Sequence, residues 1–312
     1  MDRRPWALQV DRDHSGFMNI HEIPPGSIVV GVDGSEHSEW ALTWAADAAA
    51  RQHRLLAIVH SRDSLVPGYG ASIGAWAVDW VAVEREATAA AKSALSDDAD
   101  RARQHHPELR IVEVYDVLDA RVGLIAASRE AHLIVLGSRG RGPVASFLLG
   151  SVSVEVARQA ACPVVVIGAP AEGSALGSDA PVVAAVDETA TSTKVLDFAF
   201  ELADELDAPL RVVHSVWSVV LGDEDVHTRG RLSVAEAIAG LGEKHPDVSV
   251  VVDILEGPRA DVVIEATQGA AVVVVGHERA NLVHRFVWGS IAAAIVEKAS
   301  CAVAVVPGVN KN

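Results

Sequence analysis

Gly137, Gly140, Gly150 and Ser151 punctuate the run GSRGRGPVASFLLGS at residues 137–151. Glycines at this spacing let a backbone turn tightly and come close to a ligand's phosphates. A glycine–serine pair that opens a helix, here followed by Val152, adds unpaired N–H groups, the positive end of the helix dipole and a hydroxyl, all suited to an anion. Arg139 and Arg141 bring local positive charge to a chain whose formal net charge is -16. The pattern reads as a phosphate cradle. It is not a Walker loop, since no lysine follows the last glycine, and no G-x-G-x-x-G follows the first strand. A second run, GHERANLVHRFVWGS at residues 276–290, keeps Gly276, Gly289 and Ser290 but has Arg279 in the place of Gly140. One intact site and one altered site are expected.

Other candidates carry less chemistry. Asp33 closes the first apolar run and Asp187 the corresponding later one. Either could cap the helix that follows, and Ser151 is a good N-cap by type. The cluster Asp33, Ser35 and His37 is too local for a catalytic triad, and no nucleophile elbow G-x-S-x-G occurs. His60 and His214 end equivalent strands and read as structural, so no metal site is expected. Cys162 and Cys301 precede equivalent last strands and read as small buried residues without a disulfide.

The elements that must position these groups repeat. Asp33 and Asp187 are 154 residues apart, as are His60 and His214, whereas Gly137 and Gly276 are 139 apart, as are Cys162 and Cys301. The second copy therefore has about 15 residues fewer, in the region where the first copy has PGYGASIG at 67–74. Short Val-rich runs alternate with Ala-rich helical stretches, which predicts two open parallel five-stranded sheets with helices on both faces. The expected units are a first domain at 27–169 and a second at 180–308, joined by a small polar linker, with 1–26 as a flexible tail. Met18, the only methionine besides Met1, is a candidate alternative start.

With 312 residues, half of them hydrophobic, each unit can build a core. The negative charge argues against nucleic acid and anionic membranes as partners. The N-terminus lacks the apolar stretch of a signal peptide, and a cytoplasmic location is expected.

Taken together, VDGS at 32–35 and the pattern G-x2-G-x9-G-S at 137–151 resemble the universal stress protein family in its tandem two-domain form, over nearly all of 27–307. The resemblance implies an adenine nucleotide alpha hydrolase-like fold and ATP as ligand, with magnesium as its companion, although no second acidic residue stands out to hold the metal. It implies that Asp33 holds the ribose and that the backbone near Gly31, Val32 and Ser61 lines the adenine. Gly137, Arg139, Gly140, Gly150, Ser151 and Val152 would hold ribose and phosphates. In the second copy Asp187, Gly276, Gly289 and Ser290 match, while Glu188 and Arg279 depart, and Arg279 is expected to close that site. The implied role is a nucleotide-dependent stress-response regulator acting on an unknown protein partner, at most a slow ATPase. The competing reading is an interaction module that binds no nucleotide. Self-association through the last strands, within the chain and as a dimer, is also implied.

Overall fold

A computed structural model describes residues 18–62, 79–140, 150–168, 180–187, 189–216, 224–277 and 290–308. The first half runs β1 (Ile28–Gly31), α1 (Glu36–Arg51), β2 (Leu56–Ser61), α2 (Trp80–His105), β3 (Ile111–Asp116), α3 (Ala120–Ala127), β4 (Leu133–Gly137), α4 (Ser151–Gln159) and β5 (Val164–Ile167). The second half repeats it as β6 (Val182–Val186), α5 (Thr191–Leu206), β7 (Leu210–Val216), α6 (Glu224–Lys244), β8 (Val250–Glu256), α7 (Arg259–Ala266), β9 (Val272–His277), α8 (Ser290–Lys298) and β10 (Ala302–Pro307).

The strands form one ten-stranded sheet in the order β3-β2-β1-β4-β5-β10-β9-β6-β7-β8. Every pairing is parallel except β5 with β10, which is antiparallel with Val165 opposite Ala304. The two expected five-stranded units are thus fused edge to edge through their last strands, within the chain. Both strands have a neighbour on each side, so a second chain cannot add at that edge.

Parallel strands buried on both faces are Val-rich rather than alternating. Ile28, Val30, Ile58 and Val135 lie in the apolar layer under α1 and α2, while Val29, Ala57, Ile134 and Leu136 lie in the layer under α3 and α4. Each apolar layer continues across the β5–β10 seam into the second half. Helix α1 starts where Ser35 turns its hydroxyl oxygen to accept the Ser38 amide at 3.3 Å. Its buried face is mostly alanine, which lets it lie close to the sheet.

Residues 18–26, expected to be part of a flexible tail, are built into the fold. Met18, Ile20 and Ile23 are buried against Val114 and Leu124, and the Met18 amide donates to the Glu113 carbonyl at 2.9 Å. Three apolar side chains spaced over six residues anchor this segment beside β3. Residues 1–17 lie outside the described residues.

The halves also meet through side chains. His132, Glu201 and Glu205 come within 4.8 Å of one another, across the boundary between β4 and α5. Burial first, then the neighbouring Glu201 and Asp204, pushes the Glu205 carboxyl up to about 7, against the pull of Arg54. A raised carboxyl pKa means that the folded chain binds a proton which the unfolded chain has already released. Stability then falls as pH rises from about 4.5, the ordinary value, to about 7. Glu205→Gln is expected to stabilise the protein at pH 8 by about 1–2 kcal/mol, allowing for solvent screening of a partly exposed group. Urea unfolding at pH 8 and pH 4 checks this. The advantage should vanish at pH 4, and an equal advantage at both would contradict the assignment.

Candidate functional site

Strand β1 lies between β2 and β4, with Gly31 opposite Val59 on one side and Leu136 on the other. The chain leaves β1 in one direction and returns to β4 from the other. In open parallel sheets this switch point, at the carboxyl ends of the strands, is where ligands sit. A crevice of about 560 Å³ opens there.

All ten residues expected from the first copy line it: Gly31, Val32, Asp33, Ser61, Gly137, Arg139, Gly140, Gly150, Ser151 and Val152. Ser38, Val59, Ala120, Leu124, Leu136 and Ser153 line it too and were missed. Val59 and Leu136 read in the sequence as ordinary strand residues. Nothing in a single copy marks the first turn of α3 as a crevice wall.

Asp33 does not cap α1 directly. Its Oδ1 accepts from the Ser35 amide at 3.0 Å and the Ser35 hydroxyl at 2.6 Å, and Ser35 is the cap. The other oxygen, Oδ2, lies over Gly140, where a Cβ would stand only 2.5 Å from it. The helix α4 opens with Gly150 as N-cap, so Ser151, an N-cap by residue type, does not take that role. Ser151 is left exposed on the crevice wall in the first turn. The Ser61 hydroxyl donates to the Leu118 carbonyl at 2.5 Å, tying β2 to the start of α3. Burial and the nearby Arg139 charge lower the His37 pKa, so the imidazole beside the glycine loop stays neutral at physiological pH.

Gly137 has a different duty from the one its motif suggests. A Cβ there would stand 2.6 Å from the His37 carbonyl carbon and 2.7 Å from its oxygen. The glycine admits the first turn of α1 onto β4. Gly137 and Gly140 both line the crevice, and at Gly140 the atom a Cβ would meet is Asp33 Oδ2.

The equivalent crevice in the second half is smaller, about 100 Å³. Asp187 and Gly276 line it. Ser290 begins α8, whereas Gly289, Glu188 and Arg279 lie outside the described residues. Asp187 Oδ1 accepts from the Thr189 amide at 2.9 Å, the Thr189 hydroxyl at 2.5 Å and the Ser192 hydroxyl at 2.9 Å. Its Oδ2 takes the guanidinium of Arg259 at 2.9 Å. Burial works against ionisation here, but these hydrogen bonds and the Arg259 charge outweigh it and hold the carboxyl below its ordinary value. Among the described residues Arg259 lines and narrows this crevice; the expected Arg279 lies outside them.

Cys162 and Cys301 are both buried and unpaired, and burial pushes each thiol up to about 12. His214 is buried with Nδ1 3.1 Å from the Val186 carbonyl, and His60 stacks on Tyr115. Among the described residues no helix is long and apolar enough to cross a membrane.

The universal stress protein family model matches this chain twice, over residues 26–168 and 180–307. The chain belongs to the universal stress protein family. A universal stress protein of Mycobacterium tuberculosis is 33% identical over 287 residues, which is 87% of this chain and 94% of the relative. Among solved structures, a universal stress protein from Archaeoglobus fulgidus superposes with a TM-score of 0.66 at 18% identity, covering 90% of this chain and 98% of that one. A universal stress protein solved in complex with cAMP matches 46% of this chain and 97% of its own at 29% identity, with a TM-score of 0.35. Each matched segment of this tandem universal stress protein spans one five-stranded half of the sheet.

Proposed function

We propose that the first crevice binds an adenine nucleotide, ATP in its full form, and that occupancy biases the contacts this stress protein makes with a regulatory partner. The observation that carries the reading is the convergence of all ten expected residues on one crevice at the switch point. Its volume of about 560 Å³ falls within the roughly 300–1,000 Å³ of small-molecule sites. Its lining includes apolar strand residues, Val59 and Leu136, which suit a base, and Arg139 with the amino end of α4, which suit phosphates. Asp33, already oriented by Ser35, offers a carboxylate to which a ribose hydroxyl could donate.

Among the described lining residues Asp33 is the only carboxylate and there is no imidazole. Magnesium would therefore arrive on the triphosphate rather than on a protein ligand set. The reading is one of binding, with hydrolysis slow at most. With a net charge of -16, the protein repels ATP at long range, so affinity must come from these local donors.

Thermal unfolding with increasing ATP tests this. A ligand at a hundredfold over its Kd adds about 2.7 kcal/mol, so the Tm should climb with the logarithm of ATP concentration. Inorganic triphosphate should give a smaller shift. No shift at millimolar ATP would favour a pure interaction module, and an equal shift with triphosphate would reduce the site to an anion cradle.

A further inference from the structure

The two crevices are built on the same frame, and among the described lining residues one position differs in both size and charge. Ser61 donates to the Leu118 carbonyl and Ser215 to the Gly257 carbonyl, at 2.5 and 2.8 Å. That pair of bonds puts α3 and α7 in equivalent places. Counting from them, Ala120 and Arg259 are the first residues of the two helices, and both line their crevices. The crevice with alanine at that position measures about 560 Å³ and the one with arginine about 100 Å³.

Arg259 does more than fill space. Ser35 and Thr189 are equivalent, and each donates both its amide and its hydroxyl to Oδ1 of the neighbouring aspartate. The two aspartates are therefore presented alike, with Oδ2 turned into the crevice. In the second half that oxygen carries the Arg259 guanidinium at 2.9 Å. A guanidinium N–H on a carboxylate oxygen offers what a ribose hydroxyl would offer, a donor, with a charge added.

We propose that the second crevice is a nucleotide site held shut by an internal latch, in which Arg259 occupies on Asp187 the place of a ligand's ribose. This rests on the reading that the first crevice takes an adenine nucleotide through Asp33. The latch is openable: the Arg259 side chain is 46% exposed, so it can swing to solvent without breaking the core. It makes the second half selective for ligands able to displace a cation from Asp187.

Calorimetric titration with ATP decides it, using the full chain as wild type, Arg259→Ala, Arg259→Gln and Ala120→Arg. The glutamine variant keeps most of the side chain's bulk and removes its charge, so a packing defect in the alanine variant is recognisable. Wild type should take one equivalent and Arg259→Ala two. Ala120→Arg should weaken first-site binding at least tenfold by building the same latch onto Asp33, while its circular dichroism matches wild type. An Arg259→Ala count one above wild type supports the latch whatever the wild-type count is. Equal counts in wild type, Arg259→Ala and Arg259→Gln overturn it, as does undiminished binding in a folded Ala120→Arg. A wild-type count of zero overturns the first-crevice reading instead.

Discussion

Replacing Gly140 with arginine is expected to weaken ATP binding at the first crevice by about a hundredfold, ~2.7 kcal/mol, while leaving the Tm within a few degrees of wild type. The reason is local. Asp33 Oδ2 rests where the side chain would begin, with only 2.5 Å to a Cβ. Any residue but glycine pushes the carboxylate off the orientation that Ser35 gives it. Arginine adds a guanidinium beside the displaced carboxylate, and the resulting pair competes with a ribose. Gly140 is exposed, so no core contact is lost and folding should be spared. The variant imitates the second copy, where Arg279 holds this place in the sequence. Binding equal to wild type would show that Asp33 and Gly140 do not act together.

Gly137 should behave in the opposite way. Gly137→Ala is expected to destabilise the protein by about 2–3 kcal/mol, as overpacking of a tight contact does, because the new methyl meets the backbone of His37 at 2.6 Å. Backbone in the first turn of a buried helix cannot step aside, so α1 as a whole must shift. At the equivalent Gly276 the nearest atom is the Thr191 Cγ2 methyl at 2.7 Å. A side chain can turn, and alanine in a strand also recovers up to about 1 kcal/mol of the conformational cost of glycine. Gly276→Ala should therefore cost less than about 1 kcal/mol. Urea unfolding of the two variants tests the contrast. Similar losses at both positions would mean that these glycines serve something other than helix packing.

Much of this architecture is legible in the chain itself. Two offsets, 154 and 139 residues, reveal the repeat and place its shortened region. Short, continuous Val-rich runs announce a parallel sheet buried on both faces. Asp33 and Gly137 at the ends of such runs bring two loops to one crevice, and the family resemblance supplies the rest of the ten residues. What escapes the sequence depends on which groups meet across elements. Gly137 belongs to the same motif as Gly140, yet only the packing of α1 on β4 reveals that it serves His37. Arg259 stands 17 residues before Gly276, where the glycine loop begins, and carries no motif. Only its register with Ala120, set by the Ser61 and Ser215 hydrogen bonds, shows that it faces Asp187. Met18, Ile20 and Ile23 look like scattered apolar residues in a polar tail until β3 and α3 supply the surface they cover.

The asymmetry of the two crevices has a second source beside the loop glycine replaced by Arg279, which lies outside the described residues. The described residues show an ordered ion pair, with four donors gathered on Asp187. A crevice that has merely lost its ligand has no need to satisfy its aspartate so fully.

The most direct test of the account is a calorimetric titration of ATP into the wild-type chain and into Asp33→Ala. The account predicts one equivalent bound by wild type and none by the variant, with both proteins folded. No heat from wild type at millimolar ATP, or an unchanged isotherm in Asp33→Ala, would contradict it.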